Sequence, residues 1–152
     1  MGSRYVGTAV IIGTELRDWR IRVIRRTSPI EKFQTLTSIL SRLLDAYSPT
    51  LVAMKKLHPS RSSSILDRMG IEAKEFLEQH GVGVHEFTLA QLKARLLPGQ
   101  RANKINLAEY MVSQYPILFE DWDRERSLRR PYRMAMFEAV ALANASLGRR
   151  DN

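Results

Sequence analysis

Met1-Gly2-Ser3-Arg4-Tyr5-Val6-Gly7-Thr8-Ala9-Val10 opens the chain with a turn that runs straight into a strand. Glycine and serine lead the turn, and Tyr5 to Ile12 is rich in β-branched residues, which pack well on a pleated surface. A turn of this kind joins two neighbouring strands, so it raises the expectation of a strand on its far side, where only Met1 stands. The next apolar run, Trp19 to Arg25, alternates apolar and basic residues with period two and reads as a second strand with one wet, arginine-lined face. Gly13 to Asp18 is a connection of hairpin length between them.

Ser28-Pro29-Ile30-Glu31 places an N-cap serine, a proline at the first helical position and a glutamate at the third, the pattern of a capping box. From Ile30 an apolar stripe runs through Phe33, Leu36, Ile39, Leu40, Leu43, Leu44 and Tyr47 to the break at Ser48-Pro49, so this helix is expected to pack on a sheet. Thr50 to Met54 is a short continuous apolar run, the form of a central strand covered on both faces. Ser62 to His80 reads as a helix with Gly70 marking a break or a close contact, and Gly81 stops it. Val82 to Phe87 is the next strand, and Thr88 with Gln91 caps a helix that ends before Pro98. Asn103 to Tyr115 is helical with Ile105, Ala108, Met111 and Val112 inward, and Pro131 to Leu147 is an alanine-rich closing helix. Asp121 to Arg133 mixes both charge signs without apolar periodicity and reads as a surface loop. The order makes a mixed α/β sheet with right-handed crossovers.

Residues 1–152, 44% of them hydrophobic, suffice for one ordinary core and a single domain. The chain has no cysteine, which excludes disulfides, thiolate zinc sites and cysteine nucleophiles. It lacks a secretory pattern and an apolar run of membrane-span length, so a cytoplasmic protein with no membrane partner is expected. A formal net charge of +8 favours a polyanionic partner. The basic residues cluster at 17–32, and at 91–104, where Lys93, Arg95, Arg101 and Lys104 stand with no acid among them.

Taken in order, four segments resemble the RuvC-type Holliday junction resolvases of the ribonuclease H-like superfamily. Gly2 to Ile11 is similar to the second half of a family segment in which a strand ends in Asp-Pro-Gly-Ser-Arg before the next strand begins. Leu51-Val52-Ala53-Met54-Lys55-Lys56 stands where the family has an apolar strand ending in a catalytic glutamate, and here that position is Lys55. Gly99 to Lys104 is similar to a glycine-and-lysine segment that approaches DNA. Ala135 to Ala143 resembles the closing helix with its acid before Ala-x-Ala; Glu138 matches that acid, and Ala135 stands where a second acid or a histidine belongs. The resemblance implies a ribonuclease H-like mixed sheet flanked by helices, with the N-terminal strand missing.

It also implies two-metal phosphodiester hydrolysis, in which clustered carboxylates hold magnesium. Magnesium needs oxygen ligands, and one glutamate beside an ammonium group is a poor set. The expectation is therefore a nucleic-acid-binding domain, DNA the favoured partner, with no cofactor and no metal residue. The candidate binding residues are Arg4, Lys55, Lys56, Lys93, Arg101 and Lys104. Lys55 reads equally as a phosphate contact and as a lysine snorkelling off a strand end. Glu138, the sole candidate catalytic residue, reads more readily as a structural partner of Lys55 or an arginine. His58, His80 and His85 have no metal-ligand spacing, and Ser62 to Ser64 read as helix caps before phosphate contacts. One alternative is an active magnesium-dependent resolvase whose first aspartate lies upstream of Met1, and another is a protein-assembly module. A sheet lacking its first strand leaves unpaired edges, so a symmetric homodimer is expected.

Overall fold

Two β-ribbons that do not pair with each other frame the fold. The structure, a computed structural model, describes residues 5–24, 28–56, 64–100, 103–129 and 132–149. Strands β1 (Tyr5–Ile12) and β2 (Glu15–Val23) form an antiparallel hairpin. Its turn is tighter than the expected six-residue connection, because Gly13 takes a positive φ of 64° and β2 already begins at Glu15. The pairing shifts between Val10, opposite Asp18, and Ile11, opposite Leu16, which leaves Arg17 as the extra residue of a bulge. The bulge lets Leu16 join Trp19 and Ile21 in one apolar cluster, while Arg17 and Arg20 face water.

Helix α1 (Pro29–Tyr47) starts where expected, with the Glu31 N–H donating to Ser28 Oγ at 3.3 Å, which is one arm of the expected capping box. Its stripe is less buried than its periodicity predicts. Leu36 and Ile39 are buried, but Ile30 is 67% exposed, with no element above it in the first turn among the described residues. The helix packs chiefly on α2 (Ser64–Gln79) through Phe33, Leu36, Leu40, Met69 and Ala73, and reaches the sheet at Val6 and Met54. Helix α2 runs unbroken through Gly70, where a Cβ would meet nothing. Between these helices β3 (Leu51–Lys55) pairs in parallel with β4 (Gly83–Phe87). Full coverage was expected of β3, yet each of its five residues is only half-buried, because its second edge carries no strand among the described residues.

On the other face lie α3 (Leu89–Leu96), α4 (Lys104–Gln114), a short 3-10 turn (Pro116–Leu118), α5 (Phe119–Arg126) and α6 (Met134–Arg149). Both arms of the Thr88–Gln91 capping box form, at 2.9 and 3.1 Å. Asn103 caps α4 by accepting the Asn106 N–H at 2.7 Å. The inward face of α4 is Leu107, Ala108 and Met111; Val112 is half-buried and Ile105, expected inside, is 55% exposed. The charged stretch expected to be a surface loop contains α5, because Trp122 and Glu125, three residues apart, both turn inward. The buried Glu125 carboxylate accepts the backbone N–H groups of Tyr132 and Arg133, which anchors the approach to α6.

Helix α6 is the element both ribbons share. Its Met136, Phe137, Val140, Ala141 and Ala145 are buried in the larger core. Gly7 of β1 lies against its first turn so closely that a Cβ would overlap the Ala135 carbonyl. Lys55, at the end of β3, reaches the same end of α6 at Glu138. The start of β1 and the end of β3 therefore lie together, and the two edges left without a strand among the described residues run antiparallel.

Candidate nucleic-acid interface

Three elements deliver one charged cluster. Strand β3 ends on Lys55, α4 starts on Lys104, and the second turn of α6 presents Glu138. Lys55 Nζ donates to Glu138 Oε2 at 3.1 Å, and Lys104 Nζ stands 3.4 Å from Oε1. The latter approach is too poorly aligned to be a hydrogen bond, and Oε1 is buried without one. Glu138 is 5% exposed; the side chains of Lys55 and Lys104 are 17% and 54% exposed. Burial alone would push the Glu138 carboxyl up, but the ammonium of Lys55, aided by Lys104, outweighs it and holds the group below its ordinary value. At neutral pH the glutamate is an anion already paired, so it is a poor general acid. Against its single charge stand two cations, which leaves the cluster net positive and suited to a phosphate oxygen.

Lys56 follows directly and is exposed, its backbone N–H donating to the Phe87 carbonyl at 2.7 Å. Lys93 lies half-buried on α3. Arg4, Arg101, His58, Ser62 and Ser63 lie outside the described residues. His80 is exposed at the end of α2, with Nδ1 2.8 Å from the Phe76 carbonyl, and His85 sits in β4 with Nδ1 3.4 Å from Ser146 Oγ. The described residues do not fit the magnesium that the resemblance implies: two ammonium groups flank the one carboxylate, and no three His, Cys, Asp or Glu side chains gather as a metal site among them.

Two polar anchors escaped the sequence reading. Asp18, 9% exposed, accepts from Tyr47 Oη at 2.7 Å and Arg20 Nε at 3.0 Å, tying β2 to the end of α1. Trp19 Nε1 donates to Asp121 at 2.9 Å, tying β2 to α5. Neither has a local signature, since the partners are 29 and 102 residues apart.

Superposition on solved structures decides the architecture. Thermus thermophilus RuvC in complex with a Holliday junction substrate matches with a TM-score of 0.74 at 16% identity, over 99% of this chain and 91% of that one. The fold is RuvC-like. A second Thermus thermophilus RuvC structure agrees, with a TM-score of 0.71, 16% identity and coverage of 97% and 89%. No protein-family model and no curated protein matches the sequence. The RuvC-like fold is thus shared at low sequence identity, and the α/β arrangement flanked by helices expected from the sequence is observed, with its strands divided between an antiparallel and a parallel ribbon. Among the described residues no helix is long and apolar enough to cross a membrane.

Proposed function

We propose that this chain is a nucleic-acid-binding domain, DNA its favoured ligand, that has kept the RuvC-like fold and given up metal-dependent cleavage. The observation that carries the reading is the Lys55–Glu138–Lys104 cluster, in which a cation stands beside the sole carboxylate at 3.1 Å. Lys56, Lys93, Arg101 and Arg4 add positive charge along the chain, consistent with a phosphate-tracking groove and the formal net charge of +8. A RuvC solved with a Holliday junction makes branched DNA the first ligand to try. A homodimer in the cytoplasm goes with this reading; exposed Ile117 and Phe119 supply apolar area for the contact.

Purified protein is expected to bind a four-way DNA junction with an affinity that falls steeply with salt, and to leave it uncut with magnesium or manganese. Lys56→Ala combined with Lys104→Ala should flatten the logarithmic salt slope by about two, one for each phosphate contact. A flat salt profile in the parent protein would remove the groove. Metal-dependent cutting that Glu138→Gln abolishes would favour instead an active nuclease, with Glu138 as its carboxylate. Binding to neither DNA nor RNA would leave the protein-assembly reading.

A further inference from the structure

Strand β2 carries the arginine-rich face expected from the sequence, and the Lys55 cluster uses none of it. Beyond the bulge, Trp19 and Ile21 turn to the larger core, which puts Asp18, Arg20 and Arg22 on the opposite face. Asp18 is satisfied there by Arg20 and Tyr47. Arg22 has no such partner: its Nε is buried without a hydrogen bond, and it makes no ion pair among the described residues. It lines a cleft of about 510 Å³ between the end of β2 and the exposed flank of α1, where Glu31, Gln34, Ser38 and Arg42 recur at helical spacing. Arg25 and Arg26 lie outside the described residues.

We propose that this cleft is a second phosphate contact, holding the backbone of the nucleic acid that the Lys55 cluster binds; the inference rests on the function proposed above. Two guanidinium groups, Arg22 on β2 and Arg42 on α1, stand against one carboxylate, Glu31, so the cleft is net positive and suits an anion. Glu31 sits in the first turn of α1, about 16 Å along the axis from Arg42, so it does not neutralise that arginine. A guanidinium fork donates in pairs to phosphate oxygens, and the Ser38 hydroxyl and Gln34 amide are neutral donors on the α1 wall. Thr35 adds little, because its hydroxyl already donates to the Glu31 carbonyl at 2.9 Å. A carboxylate would fit the same fork, but the position of the cleft favours a nucleic acid. Arg22 stands opposite Val6 in the hairpin, and the next residue, Gly7, rests on Ala135, about one turn of α6 before Glu138. Cleft and cluster therefore lie at the same end of the strands, where one extended polyanion reaches both.

The test measures binding of the full chain to a four-way DNA junction across a range of salt. Arg22→Gln and Arg42→Gln, each alone, should lower the logarithmic salt slope by about one, and Arg42→Lys should keep the parent slope. Arg17→Gln removes the same charge from the same strand outside the cleft and should leave the slope unchanged, which separates a local contact from a change of net charge. Arg42 is exposed on α1, so its variants serve if Arg22→Gln does not fold. The Arg22 Nε–H proton resonance should also shift on addition of the junction. Junction binding whose slope neither glutamine variant changes overturns the inference and leaves the proposed function standing, whereas no binding by the parent protein overturns both. An equal loss of slope in Arg17→Gln overturns the inference too. So does an Arg22 resonance that shifts with inorganic phosphate or polyglutamate but not with the junction, since a free anion or an acidic protein would then be the ligand.

Discussion

Glu138 is the residue on which charge and burial meet, and its titration is open to measurement. Its carboxyl is held below its ordinary value in the folded chain, so the Lys55 pair contributes stability that is fully present above the unfolded value. That contribution is lost as pH falls through the lowered folded value. Thermal stability is therefore expected to fall on acidification below about pH 4.5, and Glu138→Gln should remove this part of the fall. At neutral pH the same variant strands a mostly buried ammonium and should destabilise by about 2–3 kcal/mol in urea unfolding. Asp18 acts in the opposite sense on its neighbour. By accepting the Tyr47 hydrogen bond, with burial and its own charge adding to the effect, it raises that phenol above its ordinary value. Asp18→Asn removes the charge, and an ultraviolet titration, with Tyr47→Phe as the blank, should show Tyr47 ionising at lower pH.

Among the elements, β1 depends most on a missing atom. Gly7 lets the Ala135 carbonyl of α6 come closer than any side chain permits, so Gly7→Ala must push helix and strand apart. The expected loss is about 2–3 kcal/mol, read from the shift of the denaturation midpoint. The sequence was legible wherever one element's own pattern determined its form. Thr88 and Gln91 announce their cap, the alternation from Trp19 announces a strand, and Gly13 announces a turn. It failed where a partner distant along the chain decides exposure. Ile30 and Ile105 have the right spacing to be inside, but no described residue covers them, whereas Trp122 and Glu125 in a charged stretch are buried by α6 and its approach. The site was legible as residue types, since Lys55 and Glu138 could be matched segment by segment. That matching also made Lys55 a candidate partner of Glu138, whereas the place of Lys104 beside them depends on how β3, α4 and α6 converge, which no local spacing records.

At the scale of the molecule, a single helix holds the two ribbons in one body. The larger core joins β2, β4 and α3 to α6, while the smaller one joins α1 and α2 to the far ends of the strands. Both β1 and β3 rest on α6, and they pair with β2 and β4 but not with each other. A chain stopped after Arg133 is therefore expected to lose the common support and to show no cooperative thermal transition by circular dichroism. The same dependence sets a timetable during synthesis. Helix α6 leaves the ribosome after every other described element, so the β1–β2 hairpin, made first, must wait uncovered while more than a hundred residues are translated. Contacts so far apart in sequence close slowly, and an uncovered strand edge is sticky meanwhile. The nascent hairpin is thus a natural client for a chaperone, and slowing elongation should prolong its exposure and lower the yield of soluble protein.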